Sequence, residues 1–225
     1  MANLDSLFRE AMGFFARRGW QITLEATCWI AGSCLSAELL GYWLHRLLHS
    51  GLVGFLSRNH MRHHMVLYGP LQEQRSSKYR DATTDTPSLG NIGLEWLLPA
   101  GILISFALVV FRILGVSAVY QWIYFATTLL WSFVMFSYLH DVMHVEGFWM
   151  EKNKWLNHWF VSARRRHDSH HHVINDHGLM HRNFGIGFFL FDRLFGTLAS
   201  CEAAFNRRGY EAAQERFKSV LRSRS

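Results

Sequence analysis

Phe133-Val-Met-Phe-Ser-Tyr-Leu-His140-Asp-Val-Met-His144 is an apolar run that ends in two histidines four residues apart. Residues three and four apart on an α-helix share a face. One helix therefore carries both imidazoles in one direction out of an apolar segment. The arrangement recurs at His45-Arg-Leu-Leu-His49, which closes another apolar run over residues 21–43. Two tighter clusters follow them, His60-Met-Arg-His63-His64 and His167-Asp-Ser-His170-His171. Ten of the fourteen histidines thus alternate HxxxH, HxxHH, HxxxH, HxxHH along the chain. Surface histidines scattered by chance would not sit repeatedly beside apolar segments. Neutral imidazole suits iron, zinc and copper, and ten such groups exceed what one ion can hold. The pattern predicts two metal ions, with each half of the histidine set holding its share.

The rest of the composition sets the solvent. Half of the 225 residues are hydrophobic, high for a soluble protein and suited to a membrane. A hydrocarbon core about 30 Å thick needs about 20 apolar residues. Runs at residues 21–43, 96–114 and 116–139 are the candidate spans, the first carrying Glu25 and Glu38. Nothing resembles a cleaved signal peptide. Of 23 Lys and Arg residues, six lie between the first and second spans and thirteen after the third. Basic flanks stay in the cytoplasm, and these two segments carry all four histidine clusters. The expectation is an all-α integral membrane helical bundle with a cytoplasmic histidine-rich helical cap. Cys28, Cys34 and Cys201 have neither zinc spacing nor a disulfide pattern, and read as small core residues in a reducing compartment.

The chain reads as one membrane domain over residues 1–225. Residues 4–18 place Leu4, Leu7, Phe8, Ala11, Met12 and Phe15 on one stripe, an interfacial amphipathic helix within residues 1–20. Residues 21–198 hold the spans and the clusters, and 199–225 form a basic C-terminal surface segment with a helix near 209–221. Residues 66–93 are polar and turn-rich, a connecting loop and candidate lid. Residues 145–166 mix Trp149, Trp155 and Trp159 with Lys152 and Lys154, an interface-type composition. Asp192 and Arg193, inside the apolar run 184–198, are expected to pair or cap and seat that run at the membrane surface.

An all-nitrogen site with open coordination positions lets iron bind and activate O₂. Zinc would bind as readily in a test tube, since affinity alone does not select the metal. The chain contains no Glu-x-x-His, which excludes the carboxylate di-iron pattern of ferritin-like bundles. His140-Asp-Val-Met-His144 differs from the protease motif HExxH by an aspartate one methylene too short to serve as its base. Ligating histidines usually give their second N–H to a carboxylate or carbonyl, and Glu38, on the helix face of His45 and His49, is the candidate for that role. Phe133, Phe136 and Ser137 share the face of His140 and are candidates to line a slot for an acyl or polycyclic substrate. His158, His172, His177 and His181 lie outside the clusters and read as surface or structural histidines.

The four clusters in this order resemble the fatty acid hydroxylase / sterol desaturase superfamily of membrane di-iron oxygenases. The likeness covers roughly residues 36–198. It includes Tyr42-Trp43-Leu44-His45-Arg46 with His49, then His60 to His64, then His167-Asp-Ser-His170-His171. It closes on Asn183-Phe184-Gly185 and Asp192-Arg193-Leu194-Phe195-Gly196-Thr197. The resemblance implies a mushroom-shaped helical membrane fold and O₂-dependent hydroxylation or desaturation of a lipid C–H bond. The substrate would be a fatty acyl, sterol-like or carotenoid molecule. It also implies a cytoplasmic centre of two iron ions (Fe2+), replaceable by zinc on overexpression, with O₂ as co-substrate. The implied metal ligands are His45, His49, His60, His63, His64, His140, His144, His167, His170 and His171. With no fused haem domain expected, electrons would come from a separate ferredoxin or small cytochrome with its reductase. Compact members of this kind suggest a bacterial inner membrane, or the endoplasmic reticulum if the source is eukaryotic. No nucleic-acid partner is expected.

The reading is thus an integral membrane oxygenase. Two rivals from other classes are a non-enzymatic membrane metal-binding or transport protein and a zinc-dependent membrane protease. A transporter needs polar residues along its spans, and the second and third spans offer almost none away from Arg112. The basic face would steer an acidic electron donor, with Arg164, Arg165 and Arg166 as the densest run for docking.

Overall fold

The computed structural model describes residues 4–76, 88–89, 92–93, 97–199 and 204–219. Among them the chain is helical, apart from isolated bridges and the two-residue ladder of Ser88–Leu89 with Ile92–Gly93. The helices are α1 (Leu4–Ser50), α2 (Gly54–Arg62), α3 (Leu97–Ile113), α4 (Ala118–Ser132), α5 (His140–Met143), α6 (Asn157–His172), α7 (Leu190–Leu194) and α8 (Arg207–Arg216).

The expected interfacial helix is not a separate element. α1 runs for 47 residues without a break, about 70 Å at the α-helical rise. The side chains of the 4–18 stripe lie outside the described residues. α1 stops where Gly51 takes a φ of +70°, a left-handed conformation that favours glycine after a helix end.

α3 and α4 form a hairpin whose turn is made by Gly115 at φ +65°, closed by the Val116 N–H on the Phe111 carbonyl at 2.9 Å. α4 continues through a π-helical stretch, Phe133–Leu139, into α5. The resulting column, Ala118–Met143, is the only one among the described residues both long and apolar enough to cross a membrane. Leu97–Ile113 has 17 residues, about 26 Å long. Both helices present large apolar side chains outward, including Ile102, Phe106, Val109, Ile113, Trp122, Leu129, Leu130 and Phe133.

α1 lies beside this column and runs parallel to it. Trp29 stacks on Tyr120 with centroids 5.6 Å apart. Further along, Thr128 donates to the Ser33 carbonyl at 3.5 Å, and Trp131 Nε1 donates to Glu38 at 2.8 Å. One turn beyond that, the Phe136 ring sits directly on Gly41, where any Cβ would collide with it. The pairing order 29–120, 33–128, 38–131, 41–136 brings His45 and His140 out at the same end.

Beyond that end, two apolar clusters support the histidines. Met135, Leu139, Val142, Met143, Phe160, Ala163, Ile186 and Phe189 pack between the end of the α4 column, α6 and the 186–189 segment. Met61, Met65, Ile174 and Met180 receive Ala213 and Phe217 from α8 and the residue after it. The C-terminal segment is therefore docked into a core rather than lying wholly on the surface. Its helix is held by Asn206, whose side chain accepts the Gly209 N–H at 2.9 Å and donates to the Ile174 carbonyl at 3.1 Å. Val220 and Leu221, expected on this helix, lie outside the described residues, as does Cys201. Cys28 is exposed and Cys34 only half-buried. They are not core residues, because they sit on turns of α1 whose faces are not covered by the α4 column.

Candidate metal centre

All ten clustered histidines converge in one region, but not in the division the sequence suggests. His45, His49, His60, His64 and His170 form one group whose potential ligand atoms lie within 4.8 Å of one another; His63, His144, His167 and His171 form a second. Each HxxHH cluster is split. Its i,i+4 pair joins one group and its middle histidine joins the other. His60 and His64 go with the α1 pair while His63 crosses over; His167 and His171 go with His144 while His170 crosses back. The two groups abut where the His64 and His171 rings approach to 4.0 Å. His140 belongs to neither group as a single-atom ligand, yet its ring lies 4.6 Å from His63 and 4.7 Å from His167, with a buried Nε2 that has no partner.

The backbone departs from α-helix at one of the two crossings and again before His140, while His170 crosses from the regular helix α6. His63–Leu67 is a π-turn closed by the Tyr68 N–H on the His63 carbonyl at 2.8 Å, and Phe133–Leu139 leads into His140 in the same form. π-turns inside α-helices cluster at functional sites.

The nitrogens face one another in a way that suits a cation. His144 donates Nδ1–H to the Glu73 carbonyl at 2.5 Å, and His170 donates Nδ1–H to the Arg182 carbonyl at 2.6 Å. Their Nε2 atoms then carry lone pairs. His144 Nε2 lies 3.0 Å from Nε2 of His63 and 3.0 Å from Nε2 of His167. His170 Nε2 lies 2.9 Å from Nε2 of His49, which lies 2.9 Å from Nε2 of His60. His45 and His171 give Nδ1–H to the carbonyls of Phe184 and Tyr68 at 2.6 and 2.8 Å, leaving each Nε2 buried without a partner. The facing Nε2 of His49, His63 and His167 can either donate a hydrogen to these lone pairs or, with the proton on Nδ1, turn a lone pair of their own toward a shared metal ion. With metal–nitrogen bonds near 2.1 Å, adjacent ligands are about 3 Å apart at right angles and about 3.4 Å apart in a tetrahedron. The observed separations of 2.9–3.1 Å are close to those spacings. The residues fit two ions.

Burial, and after it the neighbouring imidazoles, holds His49, His60, His63, His64 and His167 well below the ordinary histidine range. Burial does the same for His144, His170 and His171, and puts His45 at about 4. All nine are neutral near pH 7, the form that binds metal. Most of the ten are fully buried; His60, His63 and His140 alone are half-exposed. Those three rings lie near one another, His63 within 27° of parallel to His140 and 8° to His60. They mark the open side of the centre.

The partners that orient the ligands are backbone carbonyls rather than the carboxylate expected. Glu38 is buried, but it takes the Trp131 indole N–H, while His45 turns to Phe184. The Phe184 carbonyl is itself fixed by Asp192, which accepts the N–H groups of Phe184 and Gly185 at 2.7 and 2.6 Å and the Thr197 hydroxyl at 2.8 Å. Asp192 is thus a buried cap for a bend, not half of an ion pair, and Arg193 points to solvent. Asn183, at φ +55°, donates to Ser169 Oγ at 2.6 Å and ties the same bend to α6. The Asn183-Phe184-Gly185 … Asp192 … Thr197 string carried this signal in the sequence. Tyr42 adds to it from α1, its hydroxyl 3.1 Å from that of Thr197.

The arginine run divides. Arg164 is buried, paired with Glu151 at 2.7 Å and donating to the Val145 carbonyl at 2.9 Å. Arg166 donates to Ser162, and only Arg165 is fully exposed. Residues 164–166 therefore do not present a three-arginine docking face, because a helix turns successive side chains through about 100°. His158 and His177 are exposed and His181 is half-buried beside the Leu179 carbonyl. His172 pairs with Glu73 at 3.1 Å.

An all-helical frame brings together two interlocked sets of neutral histidines that could each hold a metal ion. A family model for fatty acid hydroxylase matches residues 30–197, so the chain belongs to the fatty acid hydroxylase family. Comparison with curated proteins and with solved structures gives no match.

Proposed function

We propose that the chain is an integral membrane di-iron oxygenase that hydroxylates a C–H bond of a lipid, a fatty acyl chain first among the candidates. The observation that carries this is the pair of interlocked histidine groups, whose Nε2 atoms face one another across gaps that fit an ion. His45, His49, His60, His64 and His170 would hold one iron, and His63, His144, His167 and His171 the other, with His140 beside the second. Iron bound there supplies the binding and reduction of O₂ and the oxidising power to take hydrogen from carbon. The chain's part is to keep the imidazoles neutral, to aim them through carbonyls, and to leave one side open at His60, His63 and His140. The outward apolar faces of α3 and of the column Ala118–Met143 support a bilayer location, in which a substrate already dissolved in lipid reaches the end of α4. Phe136, over Gly41 and one turn before His140, is placed to line that approach. Desaturation shares the first hydrogen abstraction and is the alternative outcome.

The protease rival is weakened by the same geometry, since His140 and His144 do not enter one ligand group and Asp141 enters neither. The transporter rival lacks a polar path along α4. By charge, the histidine end would face the cytoplasm of a bacterial inner membrane, with electrons supplied by a separate ferredoxin or small cytochrome. The test is expression in iron-replete cells under isotopically heavy O₂, with lipid analysis against the vector control and a His171→Ala variant. Heavy oxygen in a lipid product made only by the intact chain is expected. Protein loaded with two irons and a donor, but making no oxidised lipid from any acyl, sterol or carotenoid substrate, refutes the reading.

A further inference from the structure

Residues 68–75 leave the π-turn after α2 and were read from the sequence as the start of a loop. They instead run under the second histidine group. The Tyr68 ring stacks on His144 with centroids 4.0 Å apart and planes 12° from parallel, and its carbonyl takes the His171 Nδ1–H at 2.8 Å. The Glu73 carbonyl takes the His144 Nδ1–H at 2.5 Å. Arg75 then pairs with the backbone around His144, its N–H on the His144 carbonyl at 2.8 Å and its carbonyl accepting the Glu146 N–H at 3.0 Å.

Two side chains fasten this strap to the outer face of α6. Glu73 Oε1 lies 3.1 Å from His172 Nδ1, both side chains largely covered, and also accepts the Leu71 N–H at 2.9 Å. Leu71 has φ +66°, a left-handed conformation unfavourable for a leucine, so the Glu73 carboxylate closes a strained turn as well as joining α6. One residue on, Gln74 donates to Asp168 at 3.0 Å. Burial pushes Glu73 up, but the hydrogen bonds from His172 and from the backbone N–H groups of Glu73 and Leu71 more than offset it and hold the carboxyl below its usual range.

The strap meets His63, His144 and His171, all members of the second group. The first group takes its carbonyls from Arg182 and Phe184 instead. We propose that residues 68–75 form a strap dedicated to one of the two metal positions, with Glu73 and His172 as positioning residues that set the His144 imidazole through the Glu73 carbonyl. The proposal rests on the two-ion reading above. Loss of an outer partner of a ligating histidine weakens metal affinity by about 10–100-fold, and here the loss should fall on one ion alone.

The test compares wild type, His172→Ala, Glu73→Ala, Glu73→Gln and His158→Ala, loaded anaerobically with ferrous iron in detergent. Iron per chain is then followed during dialysis against a graded chelator. Wild type and His158→Ala are expected to lose two irons at similar chelator strength. His172→Ala and Glu73→Ala should release one iron at about 10–100-fold weaker chelator and keep the other. Glu73→Gln, which still accepts from Leu71 and His172, should fall in between. Variants that keep both irons as wild type does, or that lose both together, overturn the strap. Wild type that never holds two irons overturns the two-ion reading, and with it this one, before the variants are compared.

Discussion

Replacing Asp192 with alanine tests how the bend at residues 183–197 holds the first histidine group. The Asp192 side chain is fully buried and receives three hydrogen bonds, from the N–H groups of Phe184 and Gly185 and from the Thr197 hydroxyl. Gly185 packs so tightly that an added Cβ would lie 2.8 Å from Asp192 Oδ2 and 3.0 Å from Phe189 Cα. Each N–H left unsatisfied costs about 1–3 kcal/mol; the hydroxyl can rotate away. Removing a carboxylate that burial already disfavours offsets part of this, as its raised pKa shows. A net loss of about 3 kcal/mol follows, a large share of the 5–15 kcal/mol by which domains are usually stable. At 150–250 residues that is roughly a 6–12 °C fall in Tm. Because the Phe184 carbonyl is the acceptor for His45 at 2.6 Å, the first iron should also bind more weakly while the second does not. Thermal unfolding of detergent-purified protein, followed by tryptophan fluorescence, measures the first effect and chelator titration the second. A variant with wild-type Tm and wild-type retention of both irons would show that the bend is held without Asp192.

Three further outcomes follow from the geometry. His170→Ala should weaken the iron grouped with His45 and His49, and His63→Ala the iron grouped with His144 and His167; combined with His172→Ala, only the His63 variant should show non-additive loss. Independent effects in both double variants would remove the crossed assignment. Arg164→Ala removes a buried partner from the Val145 carbonyl and from Glu151, whose side chain is 27% exposed, and should cost about 1–3 kcal/mol. Arg165→Glu should leave Tm unchanged, and it should raise the donor concentration needed for half-maximal turnover if that exposed residue helps dock the donor. The metal-free protein should be acid-sensitive. His45 has a folded pKa of about 4 against an ordinary 6.5, so the unfolded chain takes up a proton first as pH falls. Stability is then full above pH 6.5 and is lost progressively toward pH 4. Urea midpoints across that window measure it, and bound metal should move the loss to lower pH. A flat profile would mean that these imidazoles are not sequestered without metal.

The helical class, the four clusters and the end of the molecule at which they gather were legible because each rests on local pattern. HxxxH at the end of an apolar run fixes which way His45 and His140 leave their helices. The allocation of ligands was not legible. His60, His63 and His64 share one side of the chain, yet the middle histidine diverges enough from the i,i+4 pair to reach the opposite group, as His170 does on the regular α-helix α6. The carboxylate chosen as orienting partner, Glu38, was plausible by helix face, but the partner is a carbonyl 139 residues away from His45. Carbonyls leave no trace in side-chain patterns. The aspartate that fixes the carbonyl did have a trace, in Asp192 beside Asn183-Phe184-Gly185, and of the pair or cap expected there the structure forms the cap. Arg164 was misread, since a run of three arginines looks like a surface until the helix periodicity buries one of them.

The crossing has a consequence for how the centre assembles. The first group combines α1 and α2 with His170 of α6; the second combines the end of the α4 column and α6 with His63. Neither group is complete within one half of the chain. An ion at either position is therefore bound only when residues 45–64 have closed against residues 140–171. Binding free energy at a site absent from the unfolded chain is folding free energy, so each iron should stabilise the contact between the halves rather than one half alone. Without metal the joint keeps only N–H···N contacts, 2.9 Å between His49 and His170 and 3.0 Å between His63 and His144, which are weaker than bonds to a shared ion. The halves should consequently loosen first along this joint when iron is removed. Limited proteolysis within residues 65–76, the end of the π-turn and the strap itself, should accelerate on chelation. Cleavage there that is indifferent to iron would mean that apolar packing, and not the metal, holds the two halves together.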